Sequence, residues 1–297
     1  MKSRSNRLSP DWKFDLVNGA LILMITLLIL YPLYFIVIAS FSDPNAIARG
    51  RVWFLPKNIT LEGYRRILEY KKIWLGYKNT ILYTGVGTFV NVSFTMMAGY
   101  ALSRKDLPLR GLWIGIFMFT MFFDGGLIPR FLFLKNLGLY NNFWVMILPT
   151  AVSVWNLIIA KTFFENSIPD ELLEAAQLDG CGDLRFFASI VFPLSKAIMA
   201  VLAVYYAVGH WNEYFNAMIY LKDESKFPLQ LFLRQVLLQN QFQDEIMINN
   251  ADAEKNALIA ESMKYGIIIL SSLPVFVMYP FMQKYFVKGV MIGAVKG

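Results

Sequence analysis

Charge is what this sequence has least of. Only 16% of its 297 residues are Asp, Glu, Lys or Arg, where ordinary soluble domains carry about 25%. Its single cysteine, Cys181, excludes an intramolecular disulfide and any multi-cysteine zinc or iron–sulfur site. Its single histidine, His210, excludes a catalytic zinc held by several histidines. No Gly-x-x-x-x-Gly-Lys-Ser/Thr is present, so any ATP-dependent step must be carried out by another chain. His-Glu-x-x-His and Gly-x-Ser-x-Gly are also missing, which argues against a membrane zinc protease or a serine hydrolase. No internal repeat, low-complexity tract or Gly/Ser linker interrupts the chain.

In place of charge there is apolar surface. Hydrophobic residues make up 57% of the chain, aromatic residues 16%, and Phe alone contributes 25. The mean hydropathy of +0.47 is too high for a soluble globule of this size and defines an all-α integral membrane protein. The net charge of +7 does not point to nucleic acid, because membrane proteins collect Lys and Arg where they meet the edges of the lipid bilayer.

Charge-free runs locate six spans. Leu16–Phe41 is 26 residues, Asn79–Ser103 is 25, Asn136–Ala160 is 25 and Tyr265–Gln283 is 19. About 20 helical residues cross a hydrocarbon core. Gly111–Phe123 is shorter and runs into Asp124, Gly125, Gly126 and Pro129, while Ala197–Leu221 is interrupted by His210 and Glu213. Both can cross only if those polar groups face protein or water. The first run is too long for a signal core and lacks a prompt small-x-small cleavage site, so it reads as a retained helix. Lys2, Arg4, Arg7 and Lys13 ahead of it favour an inside start. Beyond that point charge does not orient the chain: an inside start leaves 13 Lys and Arg inside and 15 outside, eight of the latter between Arg49 and Lys78.

The organisation expected is a cytoplasmic tail over 1–15, a first transmembrane helix over 16–41, and an extracytoplasmic loop over 42–77. A five-helix core over 78–289 follows, with a distinctive loop at 165–195, and then a cytoplasmic tail over 290–297. Thr60-Leu61-Glu62-Gly63 predicts a short capped helix in the first loop. Lys222–Lys264 is polar and long enough for two surface helices.

The loop at 165–195 is not a generic connector. Pro169, followed by Asp170 and Glu171, marks a helix start with acids at the positive end of the dipole. Leu172, Leu173 and Ala176 lie at helical spacing, and Gly180 marks a stop. A second short helix carries Leu184, Phe186, Phe187, Ile190 and Val191, giving two short amphipathic helices at a right angle. Residues 165–185 hold Glu165, Asp170, Glu171, Glu174, Asp179 and Asp183 against Arg185 alone. An acidic, small-residue surface of this kind suits a partner protein that fits over it. The plain alternative is a solvated surface loop.

Glu174-Ala175-Ala176, then Gly180, Ile190 and Phe192-Pro193, resemble the EAA signature of permease subunits of binding-protein-dependent ABC importers, with Phe192 where Leu is usual. Ser40-Phe41-Ser42, Asn79-Thr80, Ala101-Leu102-Ser103-Arg104, Trp211-Asn212 and Val287-Lys288-Gly289 resemble the carbohydrate, maltose-type branch, so the likeness covers nearly the whole chain. The resemblance implies that Glu174, Ala175, Ala176, Asp179 and Gly180 form a coupling helix that docks on a cytoplasmic ATPase. Glu174 would pair with a basic residue of that ATPase. It further implies a bacterial plasma-membrane protein with both termini cytoplasmic and with loops 42–77 and 222–264 outside. The implied partners are a second, homologous permease, two ATPase subunits that bind the ATP, and an extracytoplasmic solute-binding protein. No cofactor is bound by this chain itself, and it is not an enzyme.

Candidate solute contacts follow from polar and aromatic residues inside spans. Tyr205, Gly209, Asn212, Asn216 and Tyr220 recur at helical spacing and read as one stripe. Its amides and rings suit a sugar, although helix packing accounts for Tyr205 and Gly209 better than solute contact does. Asp124, in the Gly-Gly-Pro break, either caps the next helix or faces the pathway, and Trp155 and Asn156 are weaker versions of the same argument. The carboxyl tail after Lys288 is apolar, with Gly289, Gly293 and Gly297 at intervals of four. Gly293 and Lys296 are its expected contacts with the ATPase pair; packing under its own bundle is the alternative. Two other functions compete with sugar import: an importer of the same type for a non-sugar solute, and an ATP-independent carrier using Asp124 and Glu213.

Overall fold

The longest apolar run becomes the first helix, α1 (Trp12–Ser40). The structure, a computed structural model, describes residues 12–246, 263–277 and 279–280. At about 1.5 Å per residue α1 is longer than a hydrocarbon core. Its buried residues are Ile38, Ala39 and Ser40, so the rest of its apolar surface faces outward all round. That is the surface of a helix that meets lipid or another chain.

The chain divides into two compact units, residues 1–69 with 236–270 and residues 70–235 with 271–297. In the first unit, α1 is followed by α2 (Pro44–Ala48), whose first turn is capped by Asp43. Ile38, Ala39, Ala46, Ile47 and Val52 form a small core there. Ser42 ties it together, donating from Oγ to the Ile38 carbonyl at 2.7 Å and accepting the Lys57 amide at 3.2 Å. Helix α3 (Glu62–Glu69) starts behind Thr60, whose hydroxyl accepts the Glu62 amide at 3.2 Å.

The second unit is built around α4 (Lys71–Ser103), which packs closely against α7 (Val154–Ser167) and α11 (Lys196–Trp211). Between α4 and α7 lie α5 (Arg110–Phe122) and α6 (Leu127–Asn136). After α7 come α8 (Asp170–Leu178), α9 (Asp183–Phe186), a π turn over Phe187–Val191 and α10 (Phe192–Leu194). Beyond α11 come α12 (Phe215–Tyr220), α13 (Leu229–Ile246), which continues past residue 235, and α14 (Met263–Val277). Close approach of α4 to α11 depends on Gly87: a Cβ there would stand 2.4 Å from His210 Nε2. Beside it Asn91 Nδ2 donates to the Thr150 carbonyl at 3.1 Å and lies 3.2 Å from His210 Nε2. One turn on, Thr95 Oγ1 and Tyr206 Oη are 2.6 Å apart, and Tyr206 Oη accepts the Ser153 amide at 3.1 Å.

Among the described residues α1 and α4 alone are long and apolar enough to cross a membrane as single helices. Three other crossings are bent. α5 and α6 meet at 115° across Phe123–Gly126, where Gly-Gly and Pro129 predict a break. The expected straight span Asn136–Ala160 is corrected: its first half is irregular, with 3-10 turns at Phe143–Met146 and Leu148–Thr150, and α7 starts only at Val154. A charge-free run reports apolar content, not helix. Here Gly138 and Asn141 adopt positive φ, and α7 continues past Ala160 because Lys161 and Glu165 pair at 2.8 Å. The expected span Ala197–Leu221 is likewise two helices, broken at Asn212–Tyr214.

Candidate functional site

Helices α8 and α9 with the π turn and α10 form a knob at the end of the second unit. Asp170 and Glu171 occupy the first turn of α8, where the helix dipole favours acids. Leu173 and Ala176 turn inward to a core made with Phe164, Phe186, Val191 and Ile198. The helix ends in a Schellman turn: Cys181 N donates to the Ala176 carbonyl at 2.9 Å and Gly180 N to the Gln177 carbonyl at 3.0 Å. Gly180 sits at φ +73°, a conformation that a side chain disfavours. The tight turn carries α9 away from α8, and α10 then meets α11 at 81°.

The outward face of the knob is unusual. Leu178 is 90% exposed and Leu184 86% exposed, on either side of the Gly180 turn. Glu174, Ala175, Asp179 and Gly180 are exposed beside them, while Ala176 is buried. Glu174 forms no ion pair among the described residues. A rigid turn holding two bare leucines and an unpaired carboxylate suits a protein partner better than water.

Inner ion pairs tie the knob to the bundle. Arg104 Nη1 donates to Asp183 Oδ1 at 3.2 Å and to Tyr100 Oη at 3.1 Å. Its Nε and Nη2 grip Asp106 at 2.8 and 2.6 Å. The guanidinium holds the Asp106 carboxyl below the usual carboxylate range. Lys105 Nζ donates to Asp170 Oδ2 at 2.6 Å, and this bond raises the lysine above its ordinary value. Arg110 pairs with Glu165, and its Nε donates to the Leu102 carbonyl at 2.8 Å.

The expected solute contacts are scattered. Asp124 is exposed, and its Oδ1 accepts the Gly126 amide at 2.9 Å, which is the capping role. Trp155 is exposed, and its neighbour Asn156 is buried on α7. The single stripe on the fifth span is corrected, because the helix ends at Trp211 and restarts at Phe215. Asn212 closes α11, its Nδ2 donating to the Val208 carbonyl at 3.0 Å. Glu213 accepts the amide and side chain of Asn216 at 2.9 and 3.0 Å, starting α12. Tyr220 is 1% exposed in the core, its ring stacked on Phe131. Gly293 and Lys296 lie outside the described residues.

What sequence reading missed is the polar seam of α4. Thr80, Thr84, Thr88, Asn91 and Thr95 recur at helical spacing, so the signal was present. Thr80 Oγ1 accepts the Leu229 amide at 2.8 Å. Thr84 Oγ1, Thr88 Oγ1 and Asn91 Oδ1 are buried with no partner among the described residues. The described residues hold no group of three or more potential metal ligands.

An all-helical membrane bundle with bent crossings and a protruding two-helix knob defines a membrane transport subunit that works through a partner. Residues 107–291 match the family described as binding-protein-dependent transport system inner membrane component. The chain is 37% identical to Protein LplC of Bacillus subtilis (strain 168) over 285 residues, covering 96% of this chain and 95% of that one. It is also 37% identical over 284 residues to the polygalacturonan/rhamnogalacturonan transport system permease protein YtcP of the same strain, covering 96% and 98%. Its fold matches, at TM-score 0.84 and 34% identity, a chain of a bacterial ABC transporter involved in the import of the acidic polysaccharide alginate, covering 96% of this chain and 99% of that chain. The chain therefore belongs to the inner-membrane permease subunits of binding-protein-dependent ABC importers. Such subunits work with an ATPase and a solute-binding protein.

Proposed function

We propose that this chain forms half of the translocation pathway for an oligosaccharide and delivers to that pathway the work of ATP bound and hydrolysed on separate subunits. The chain is itself non-catalytic. Its assembly contains a second, homologous permease, two ATPase subunits and a solute-binding protein. Both termini lie in the cytoplasm and the loops 42–77 and 222–264 lie outside, where the binding protein docks. The mechanism is alternating access: closure of the ATPase dimer moves the knob, and the two permeases swing between inward- and outward-facing states.

The observation that carries this reading is the knob's exposed Leu178, Leu184 and Glu174 around the rigid Gly180 turn. Oligosaccharides rich in uronic acids are the first solutes to test, because the names of two matched proteins carry acidic polysaccharides. In proteoliposomes the assembled complex takes up galacturonate oligomers with ATP, and the chain alone does not. Uptake by the chain alone, insensitive to ATP, would contradict the reading; uptake by the complex of neutral oligosaccharides only would narrow it to another sugar. Within the same reading, Gly293 and Lys296 place the carboxyl tail against the ATPase pair, and deleting residues 293–297 lowers transport-coupled ATP hydrolysis without affecting insertion.

A further inference from the structure

We infer that Arg104, with Asp183 as its partner, is a positioning residue that makes the coupling knob and helix α4 move as one body. The inference rests on the docking reading of the knob. Helix α4 lies against α7 and α11 over its length, whereas it reaches α8 and α9 through side chains that leave its carboxyl end. Two consecutive residues make that reach. Lys105 holds Asp170, the first residue of α8, and Arg104 holds Asp183, the first residue of α9. The attachments fall on opposite sides of the Gly180 turn. One tether would stop the knob from drifting; two also stop it from rotating.

The two ends of the Arg104 link are built differently. The Arg104 side chain is 14% exposed, and its fork is filled by Tyr100, Asp106 and Asp183. A planar guanidinium with its donors engaged has little freedom left. The Asp183 side chain is 73% exposed and belongs to the knob. The fixed end is therefore on α4 and the mobile end on the partner-facing element. Packing does not do the same task at this place. A cavity of about 300 Å³ opens here, lined by Tyr100, Phe164, Pro169, Leu173 and Phe186 with the charged groups at its rim. Close-packed side chains transmit displacement and voids do not. Exposed ion pairs contribute little to folding stability, so what these pairs add is orientation.

The test uses the permease–ATPase complex in lipid, in a Cys181→Ser background, with spin labels at Met97→Cys on α4 and Gln177→Cys on α8. Distance distributions are measured without nucleotide and with ADP–vanadate. The expected result is one narrow distribution, unchanged between the two states. It becomes about two-fold wider in Arg104→Gln and in Asp183→Asn, and no wider in the double variant, because coupled partners are non-additive. An unchanged narrow distribution in Asp183→Asn overturns the inference, as does a distance that shifts with nucleotide in the unmodified pair. If Arg104→Gln fails to reach the membrane, Asp183→Asn decides the matter, its side chain being on the surface. Glu174→Lys runs in parallel, read by co-purification of the ATPase. Normal co-purification and transport in Glu174→Lys would remove the docking reading; loss of the ATPase there, with Asp183→Asn unchanged, would remove the Arg104 link alone.

Discussion

The knob at 169–194 and the broken stretch at 205–220 carry opposite kinds of information. The knob is set by local punctuation: Pro169 and two acids start α8, and Gly180 ends it at φ +73°. Its shape depends on residues within a few positions of one another, and its function is displayed on its surface. The 205–220 stretch is set by contacts distant in sequence. His210 meets Asn91 across the bundle, Tyr206 reaches Ser153 and Thr95, and Tyr220 stacks on Phe131. A chain can therefore advertise its partner-binding element plainly while concealing how its crossings are arranged.

Substitutions can break or sharpen this contrast. The largest effect is expected where the crossings depend on tertiary fit. Gly87→Ala forces a Cβ toward the buried His210 ring and should cost about 1–3 kcal/mol, with Gly87→Leu failing to fold. Thermal unfolding of the purified protein in detergent checks both; a Gly87→Ala variant as stable as the parent would mean that α4 and α11 are not packed this closely. Next is the knob's own turn. Gly180→Val places a β-branched residue in the left-handed region, for about 1–2 kcal/mol of local strain. Because the strain is local, the bundle's melting temperature should move little while ATPase co-purification drops. Equal losses in both measurements would erase the distinction between the two regions.

Tyr220→Phe is smaller and of the opposite sign. Its hydroxyl is buried with no partner among the described residues, so removing it should be neutral or stabilising by up to about 1 kcal/mol. Uptake should be unchanged, whereas a tenfold fall would return Tyr220 to the solute pathway. Smallest is Lys105→Met. Its pair with Asp170 is exposed on both sides and screened by salt. The lysine is raised in the folded state, so its contribution is present below the ordinary lysine range and lost as pH rises through the folded value. Stability at neutral pH should be nearly unchanged in Lys105→Met, as a melting series in low and high salt will report.

How much of this was legible in the sequence follows the same division. Helix ends with a cap, a proline or a glycine could be read, and so could the break at Asp124-Gly125-Gly126. The run Asn136–Ala160 could not, because apolar content is shared by helix and irregular backbone when both are shielded from water. The spacing of Tyr205, Gly209, Asn212, Asn216 and Tyr220 suggested one stripe, yet Asn212 and Glu213 are the residues that stop one helix and start the next. Amides and carboxylates compete for backbone groups, so at a helix end the same side chain reads as lining or as cap. The α4 seam was written at regular spacing in threonines, which are weakly polar and common in membrane helices, and its partner His210 lies far along the chain.

The central claim is that Glu174 on the knob is where ATP-derived work enters this chain, and Glu174→Lys tests it most directly. Its carboxylate is exposed and unpaired among the described residues, ready for a basic group on the ATPase. Losing one member of such an interfacial pair costs about 2–5 kcal/mol, and reversing the charge adds repulsion. Co-purification of the ATPase and ATP-driven uptake should be measured on the same membranes, with the amount of inserted permease as reference. The account predicts normal insertion, loss of most of the ATPase and at least a tenfold fall in uptake. Normal co-purification with uptake at the parent rate would contradict it.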